Sequence, residues 1–254
     1  MLLAIDIGNT NTVLGAFDGD KIVHSWRVKT DARHTADELM LTFTGLLREL
    51  PVTGIVGCST VPAALRELRT MLSRYWPEVP TVLVEPGIKT GVALQFDNPK
   101  EVGADRIVNT LAAFHLVNGP AIVVDFGTST NFDVVSGRGE FLGGALAPGI
   151  EISLDALATR AAQLRKVELV APRSPIGKNT VEALQSGIIY GFAGQVDGLV
   201  RRIAATLVPS APESVEVIAT GGLAPLVVEH AETVSRREPD LTLVGLRLIY
   251  ERNT

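Results

Sequence analysis

The stretch AIDIGNTNTVLGAFDG, residues 4–19, has a pattern that returns as VVDFGTSTNFDVVSGRGE at residues 123–140. In both stretches an apolar run leads through Asp, a bulky apolar residue and Gly into a cluster of hydroxyl and amide side chains, and a second apolar run follows. This order predicts two strands joined by a polar turn. Because the two aspartates, Asp6 and Asp125, begin halves with a similar order of elements, we expect one α/β unit to be duplicated.

Strand and helix patterns alternate around the first turn. Five strands are expected, at residues 2–7, 12–17, 21–28 (KIVHSWRV), 54–59 (GIVGCS) and 80–85 (PTVLVE). A helix with Thr35 and Glu38 placed as a capping box follows the third strand. A second helix has Pro62 in its first turn, and a third is expected from Ile107 to Val117. Buried strands on either side of a helix predict parallel pairing through a crossover.

The second half repeats this order after the chain-breaking NGP at 118–120. Helices are expected at about 150–164 and 180–207, and a late strand in VEVIATGG at 215–222 precedes further helix or strand segments. A chain of 254 residues with 46% hydrophobic content can form one large or two modest domains. We predict two α/β domains, residues 1–118 and 119–254.

Composition excludes several classes of function. With 23 basic and 28 acidic residues the formal net charge is −5, so no basic surface for nucleic acid is predicted. The single cysteine, Cys58, lies in an apolar strand, where we expect a packed small residue, and it has no partner for an intramolecular disulfide. No apolar run is long enough for a membrane span, and the start MLLAID lacks the basic region of a signal peptide. A reducing cytoplasm is the expected location.

The two polar turns are suited to binding an anion. Gly in a sharp turn lets backbone N–H groups approach a phosphate, since there is no Cβ in the way. Neutral donors are available in both turns, from Asn9, Thr10, Thr12, Thr128, Ser129 and Thr130. Donors without a fixed charge suit a polyphosphate that arrives with a metal ion, and Asp6 and Asp125 would hold cations directly or through water. The alternative is that both are ordinary hairpin turns.

Two further glycine motifs bear on phosphate binding. PIGKNT at 175–180 is not a P-loop, because Pro172 stands where the first Gly is required and Asn179 replaces the Ser or Thr. ATGGLAP at 219–225 runs from a strand into a double Gly, which would admit a nucleotide base or ribose against bare backbone, or serve only as a strand-to-helix turn.

GADR at 103–106 is a candidate catalytic segment. Asp105 and Arg106 lie at the expected helix start, where the macrodipole should lower the pKa of the carboxyl group. An ionised Asp can deprotonate a hydroxyl, and the planar guanidinium of Arg can hold two oxygens of a carboxylate or phosphoryl group. The alternative is an N-cap Asp beside a solvated Arg.

The predicted helix at 180–207 contains four glycines, Gly187, Gly191, Gly194 and Gly198. Each costs roughly 1 kcal/mol of helix propensity relative to alanine. Close approach of another backbone would compensate, either inside the domain or across a subunit interface.

Taken together, these motifs resemble the type III pantothenate kinases of the acetate/sugar kinase, Hsp70 and actin superfamily. The stretches that carry the resemblance span nearly the whole chain, and they are DIGNTNT (6–12), NPKEVGADR (98–106), DFGTST (125–130), GGALAPG (143–149), IGKNT (176–180) and TGG (220–222). The resemblance implies two ribonuclease-H-like (actin-like ATPase) domains with an interdomain cleft. It also implies ATP-dependent phosphorylation of pantothenate, the first step of coenzyme A biosynthesis.

The resemblance also assigns residues to roles. It implies ATP contacts by Asp6, Ile7, Gly8, Asn9, Thr10, Asn11, Thr12, Val13, Gly127, Thr128, Gly221 and Gly222. Asp105 resembles the general base, within a substrate-binding set of Phe96, Gly103, Ala104, Asp105, Arg106 and Thr180. Asp125 resembles the ligand of a monovalent cation, K⁺ or NH₄⁺, and Asp6 a Mg²⁺ ligand that acts directly or through water. A homodimer whose interface completes the pantothenate pocket is implied as well.

The chain departs from the family pattern at three positions. The second turn more often reads DFGTATT, so Ser129 and Asn131 are substitutions, and altered ATP affinity is expected. Phe96 stands where many members have Tyr, which removes one hydroxyl contact to the substrate. The alternatives to a pantothenate kinase are a nucleotide-binding regulator without turnover and a sugar kinase or phosphatase of the same superfamily. An intact Asp105 favours the kinase.

Overall fold

A computed structural model describes residues 1–160 and 167–254 and contains two five-stranded sheets. The strands, in chain order, are β1 (Leu2–Ile7), β2 (Asn11–Asp18), β3 (Lys21–Lys29), β4 (Gly54–Ser59), β5 (Thr81–Leu83), β6 (Ala121–Phe126), β7 (Ser129–Val135), β8 (Phe141–Pro148), β9 (Glu216–Thr220) and β10 (Arg236–Arg237). The α-helices are α1 (Ala36–Leu47), α2 (Pro62–Tyr75), α3 (Ala104–Val117), α4 (Ile150–Arg160), α5 (Thr180–Leu207), α6 (Ala224–Val228) and α7 (Leu241–Asn253).

The chain divides by its contacts into two compact units. Unit 1 comprises Met1–Val92, Asn98–Ala112 and Leu241–Thr254. Unit 2 comprises Ala93–Asp97 and Ala113–Asp240.

Both sheets have the same topology. The strand order is β3-β2-β1-β4-β5 in unit 1 and β8-β7-β6-β9-β10 in unit 2. The first three strands of each unit form an antiparallel meander, and the last two add in parallel. The central strands, β1 and β6, are those that lead into the two polar turns. The duplicated α/β unit expected from the sequence is confirmed.

The central strands of the sheet of unit 1, β1 and β4, are buried on both faces. Alternate residues of β1 point to opposite sides, so Leu3 and Ile5 pack with Phe43 of α1 and Leu68 of α2. Ala4 belongs to a second cluster on the other face, together with Phe17, Val56, Val108 of α3 and Leu246 of α7. The first half of α3 and all of α7 therefore cover the face of the sheet that also carries Asp6.

The core of unit 2 lies between one face of its sheet and the long helix α5. Phe126 and Phe132 pack there with Phe192 and Val196 of α5 and with Ile150 of α4. Since α5 is capped by Asn179, whose side chain accepts the Glu182 N–H at 2.9 Å, the first turn of this helix is well defined.

Most predicted helices are confirmed, with differences at their ends. The Thr35–Glu38 capping box and the Pro62 start are present, and α5 covers the predicted 180–207. Helix α4 begins at Ile150, and the part of the predicted helix at 161–164 lies outside the described residues. Helix α3 begins three residues before the predicted Ile107, because the Gly103 carbonyl already accepts the N–H groups of Arg106 and Ile107.

The predicted boundary between residues 118 and 119 differs from the observed division. Helix α7 belongs to unit 1 although it ends the chain, because Leu243, Leu246 and Ile249 are buried in the core beside α3. The division also falls inside α3, between Ala112 and Ala113. A local sequence pattern cannot show that a terminal helix returns to the first sheet.

The contact between α7 and α3 can be tested at Gly245. A Cβ built there would lie 2.2 Å from the Val108 carbonyl oxygen, which is backbone and cannot move aside. We expect Gly245→Ala to lower the free energy of unfolding by about 1–3 kcal/mol, measured by urea denaturation. The matched control is Gly45→Ala in α1, where a Cβ meets nothing within 4 Å. This control should be neutral or stabilising by up to about 1 kcal/mol. Equal effects would contradict the packing described here.

Candidate functional site

The first polar turn is held from two sides and keeps its tip exposed. The Gly8 N–H donates to the Asn11 carbonyl at 3.0 Å, and the Thr10 carbonyl accepts the Thr30 N–H at 3.0 Å. A Cβ at Gly8 would lie 3.2 Å from the Asn11 oxygen, so the turn is tight. Asn9 and Thr10 are exposed between β1 and β2, where they are accessible to a ligand.

Asp6 lies in a row of directly paired residues across the sheet of unit 1. Asp6 pairs with Val13 of β2 on one side and with Cys58 of β4 on the other. Val13 in turn pairs with Arg27 of β3. Paired residues project to the same face, so the Cys58 thiol reaches the Asp6 carboxylate and donates to Oδ1 at 3.4 Å. Cys58 is fully buried, as expected for a packed small residue.

Asp105 lies in the first turn of α3, with its carboxylate folded back over Gly103. Oδ1 accepts the Arg106 N–H at 2.9 Å. A Cβ at Gly103 would lie only 2.5 Å from the same oxygen, so glycine is what allows this conformation of Asp105. Both Asp105 and Arg106 are half-buried. The bond and the absent Cβ together fix the direction of the carboxylate.

Burial controls the protonation of both aspartates in unit 1. Loss of hydration raises the pKa of Asp6 from its ordinary 3.8 to about 7, and the negative charge of Asp105 adds to the rise. Burial also raises the pKa of Asp105, against the opposing effects of the Arg106 N–H and guanidinium. The expectation that the helix macrodipole would lower the pKa of Asp105 was therefore wrong in its net direction. A carboxylate with a raised pKa is a better proton acceptor near neutral pH.

The buried thiol of Cys58 is not a nucleophile in this structure. Burial raises its pKa well above the ordinary value, and the neighbouring charges of Asp6 and Asp105 act in the same direction. The reactive form of cysteine is the thiolate, so this thiol stays protonated and serves as a hydrogen-bond donor.

The second polar turn is built like the first. The Gly127 N–H donates to the Ser129 carbonyl at 3.0 Å, while Gly127 and Thr128 are exposed. The Gly149 N–H donates to the Thr128 carbonyl at 3.2 Å, and a Cβ at Gly149 would lie 2.2 Å from that oxygen. Ser129 donates to the Asn131 side chain at 2.9 Å, so these two substituted positions bond to each other.

Asp125 adjoins the TGG turn that follows β9. A Cβ at Gly221, whose φ is +91°, would lie 2.6 Å from Asp125 Oδ1 and 2.6 Å from the Phe126 carbonyl oxygen. Asp125 opposes Asn131 on one side and Thr220 on the other. The fold of unit 2 thus brings together the second polar turn and the glycine segment at 221–222, which are far apart in the sequence.

Two of the predicted hydroxyl donors lie on the sheet face opposite the aspartate of the same turn. Thr12 pairs with Ile7 and Thr130 with Phe126, one residue out of step with Asp6 and Asp125. Both threonine side chains are therefore on the face opposite the aspartates. Thr12 is bonded to the Thr30 hydroxyl at 2.9 Å, and the buried Thr130 hydroxyl has no partner in residues 1–160 and 167–254. The expectation that Thr12 and Thr130 add neutral donors for a phosphate stays a prediction, with both hydroxyls on the face away from the aspartates.

The remaining predicted substrate residues belong to unit 2. Phe96 is half-buried and packs against Phe141, with ring centroids 5.9 Å apart. Gly143 makes room for it, since a Cβ there would lie 3.3 Å from the Phe96 ring. Thr180 is exposed at the first position of α5, directly after the cap Asn179. Gly103, Ala104, Asp105 and Arg106 belong to unit 1.

No cluster of three or more His, Cys, Asp or Glu side chains suitable for a metal occurs in the described part of the chain. None of the described helices combines the length and apolar character that crossing a bilayer requires.

The raised pKa of Asp6 predicts a pH dependence of stability. Between pH 4 and pH 7 the folded state holds a proton that the unfolded state has released, so the stability that this group contributes is lost as the pH rises through this window. Asp6→Asn removes the penalty and keeps an acceptor for the Cys58 thiol. At pH 8 we expect the free energy of unfolding of this variant, measured by urea denaturation, to exceed that of wild type by up to about 4 kcal/mol. At pH 4 the two proteins should differ little. Asp18→Asn, an exposed change on β2, is the control. A difference independent of pH would contradict the burial of this charge.

Comparison with known proteins shows the family. A model described as type III pantothenate kinase matches residues 2–202. A type III pantothenate kinase of Frankia alni is 69% identical over 253 residues, and one of Parafrankia sp. is 68% identical over 254 residues. Each alignment covers 100% of this chain and at least 99% of the relative.

Solved structures show the fold. A conserved Campylobacter jejuni protein classed with the Baf family of transcriptional activators has a TM-score of 0.63 at 18% identity, and the alignment covers 99% of this chain and 98% of that protein. A ROK family glucokinase of Streptomyces griseus has a TM-score of 0.53 at 13% identity, covering 99% of both chains. At such identities the likeness shows the fold alone, an α/β fold with two five-stranded sheets, and carries no activity. Because the family match spans most of the chain and the curated relatives span all of it, the chain belongs to the type III pantothenate kinase family.

Proposed function

We propose that this chain is a kinase that transfers a phosphoryl group from ATP to pantothenate, giving 4′-phosphopantothenate in the first step of coenzyme A biosynthesis. The observation that carries the proposal is full-length identity of 68–69% to type III pantothenate kinases, in a chain that keeps an oriented, half-buried Asp105. The alternative of a non-catalytic nucleotide-binding regulator has no supporting observation.

Asp105 is the proposed general base. Its carboxylate is oriented by the Arg106 N–H, and its raised pKa suits it to accept the proton of the primary hydroxyl as the phosphoryl group is transferred. Gly103, Ala104 and Arg106 form the proposed substrate segment around it, and the Arg106 guanidinium would clamp an anionic group of the substrate. Phe96 and Thr180 are further proposed substrate contacts. In phosphoryl transfer the protein mostly positions groups and neutralises charge, so one base with phosphate-binding turns is sufficient.

The two turns are the proposed phosphate-binding segments. In unit 1 the segment is Asp6–Val13, with the exposed N–H groups of Asn9 and Thr10 as the proposed donors. The Gly8 N–H is bonded to the Asn11 carbonyl, so Gly8 would contribute by keeping the turn tight. Asn11 and Thr12 belong to the same proposed segment, and the Thr12 hydroxyl is bonded to Thr30. In unit 2 the corresponding exposed residues are Gly127 and Thr128, of which the Gly127 N–H is bonded to the Ser129 carbonyl. Gly221 and Gly222 form the proposed adenosine segment.

The aspartates of the two turns fit the cations that the proposal requires. Asp6 uses one oxygen for the Cys58 thiol and keeps the other for Mg²⁺, directly or through water, because Mg²⁺ takes few protein ligands beside phosphate oxygens and water. Asp125 has the Phe126 carbonyl oxygen near its own Oδ1, a pair of hard donors suited to K⁺ or NH₄⁺. Bound there, these cations would neutralise phosphate charge.

A homodimer is proposed on the evidence of the glycines in α5. Gly187, Gly191 and Gly194 are exposed, and a Cβ at any of them would meet nothing within 4 Å. Among the described residues, close packing inside the unit does not account for these glycines, which favours packing against a second copy of the chain. Two large apolar side chains close to these glycines in the sequence, Ile176 and Val181, are also exposed. We further propose a cytoplasmic enzyme that binds neither nucleic acid nor membrane.

The activity can be tested by coupled ADP release with MgATP, with and without pantothenate, in K⁺ and in Na⁺ buffer. We expect ADP release that depends on pantothenate and is strong only with K⁺. Bound ATP without stimulation by pantothenate in either buffer would overturn the kinase in favour of the regulator. Equal rates in both buffers would overturn the monovalent cation site at Asp125.

The general base can be tested with Asp105→Asn. The amide still accepts the Arg106 N–H but cannot take a proton, so we expect kcat to fall by about 10² or more while the Kd for MgATP stays within about twofold. Asp20→Asn, an exposed change in the turn after β2, is the control and should turn over like wild type. Near wild-type kcat in the Asp105 variant would remove Asp105 from this role.

The dimer can be tested with Gly191→Leu. The new side chain has open space within the subunit, so we expect unchanged or higher monomer stability together with loss of the dimer, measured by sedimentation velocity. Gly45→Leu, which also faces open space but on α1, should leave the dimer intact. A dimeric Gly191 variant would place the interface elsewhere, and a monomeric wild type would end the proposal.

A further inference from the structure

The third strand of unit 1, β3, carries two positive charges beside the first polar turn. Lys29 pairs with Asn11, the residue that follows the turn, and Arg27 pairs with Val13, which itself pairs with Asp6. Because directly paired residues project to the same face of a sheet, both basic side chains project to the face that carries Asp6. The sequence patterns predicted only neutral donors at this turn, whereas the strand pairing adds two cations.

The end of β3 is joined to the tip of the turn. The Thr30 N–H donates to the Thr10 carbonyl at 3.0 Å, so Lys29 directly precedes a residue that is bonded to the tip. Neighbouring strands lie about 5 Å apart, which puts the Cα atoms of Arg27 and Asp6 about 10 Å apart. The charge of Arg27 still reaches Asp6, since it opposes the rise in the pKa of that carboxyl group. A ligand held at the turn would therefore lie within the field of both cations.

Neither cation is matched inside the described chain. Arg27 and Lys29 are exposed, and neither makes a hydrogen bond or an ion pair within residues 1–160 and 167–254. Arg33, a little further along the chain, is instead paired with Asp31 at 2.8 Å. Two unmatched cations on one face are available to an anion from solution.

The corresponding positions in unit 2 are apolar. The residue of the third strand that is aligned with the aspartate of the turn is Arg27 in unit 1 and Leu146 in unit 2. The residue that pairs with the first position of the second strand is Lys29 in unit 1 and Pro148 in unit 2. The two units share their topology, yet at these positions unit 1 alone has fixed positive charges. The first turn is therefore better suited than the second to the most highly charged part of an anion.

A different reason for charges on β3 is its position at the edge of the sheet. Charged side chains on an edge strand hinder pairing with another chain. That purpose requires neither that the charges share a face with Asp6 nor that they lie at the end of β3 next to the turn. It also predicts unchanged anion binding when the charges are removed, so a binding measurement distinguishes the two roles.

We propose that Arg27 and Lys29 are fixed positive charges that bind the terminal phosphates of the nucleotide at the first polar turn. Both side chains bind phosphate well, Arg as a planar fork and Lys as a point charge. Mg²⁺ neutralises only part of the charge of a triphosphate, so negative charge remains for them to meet. Their position puts the most negative part of the nucleotide in the unit that carries the proposed base, Asp105. This inference rests on the proposed function, because it takes the anion at the turn to be ATP.

The test is calorimetric titration of the full-length protein with inorganic tripolyphosphate and with ATP, each in the presence of Mg²⁺. Tripolyphosphate has no adenosine, so it reports on the phosphate site alone. We expect Lys29→Gln and Arg27→Gln each to weaken both ligands about five- to tenfold, and the double variant to lose more than either. Lys29→Arg and Arg27→Lys keep the charge and should retain most of the affinity. Lys21→Gln, an exposed change at the other end of β3, should have no effect.

The dependence on salt is a readout that a merely structural role would not change. Raising the ionic strength with choline chloride at constant K⁺ should weaken binding to wild type more than binding to the double variant, which lacks two of the charges that salt screens. An equal salt dependence in the two proteins would contradict a direct interaction with phosphate.

The outcomes separate this inference from the proposed function. Absence of tripolyphosphate binding to wild type, or unchanged binding of both ligands in the double variant, overturns the inference. Weaker binding of ATP with unchanged binding of tripolyphosphate also overturns it, because the charges would then act on another part of the nucleotide. If both ligands bind as expected while pantothenate stimulates no ADP release, the phosphate site stands and the proposed kinase activity fails.

Discussion

The arrangement of functional groups depends on the two-residue alternation of the central strands β1 and β6. Each strand leads into a polar turn and is paired on both sides, so its register is fixed and every side chain has an assigned face. On β1 this places Asp6 beside Cys58, on the face that also carries Arg27, and it places Ile7 with Thr12 on the other face. A slip of one residue in the pairing of β1 and β2 would exchange these two environments. The same constraint acts on Asp125 and Phe126 in unit 2.

Acids at the ends of buried strands lose hydration, which disfavours their charged form. A few hydrogen bonds and neighbouring charges offset part of this effect. Asp6 is stabilised in its charged form by the Cys58 thiol and by the charge of Arg27, yet burial still prevails. Asp105 keeps one strong backbone hydrogen bond, from Arg106. A site with more hydrogen bonds and charges to stabilise these carboxylates would be more stable, but its acids would hold protons less readily near neutral pH. Holding a proton near neutral pH is the property that acid–base chemistry needs.

Much of the fold was predictable because local patterns determine it. The capping box at Thr35, the Pro62 start and the repeat of polar turns are local signals, and the structure has all three. For the candidate site, the sequence predicted the separate segments but not the contacts between them. The contacts of Asp6 with Cys58 and of Asp125 with Gly221 join strands 52 and 96 residues apart (58 − 6 and 221 − 125), and they depend on which strands become neighbours. The net direction of the pKa shift at Asp105 likewise depends on burial, which no spacing shows.

The glycines of this chain fall into two kinds, and the difference has a physical meaning. At Gly103, Gly149 and Gly221 a Cβ would collide with an oxygen of the same unit, so the missing side chain is required by contacts within the chain. At Gly187, Gly191 and Gly194 a Cβ would meet nothing, although each glycine weakens the helix by roughly 1 kcal/mol relative to alanine. Nothing around them in the described part of the chain offsets that loss. A helix backbone that is bare on one side admits a neighbouring helix at close range, which is the contact that the proposed dimer would supply.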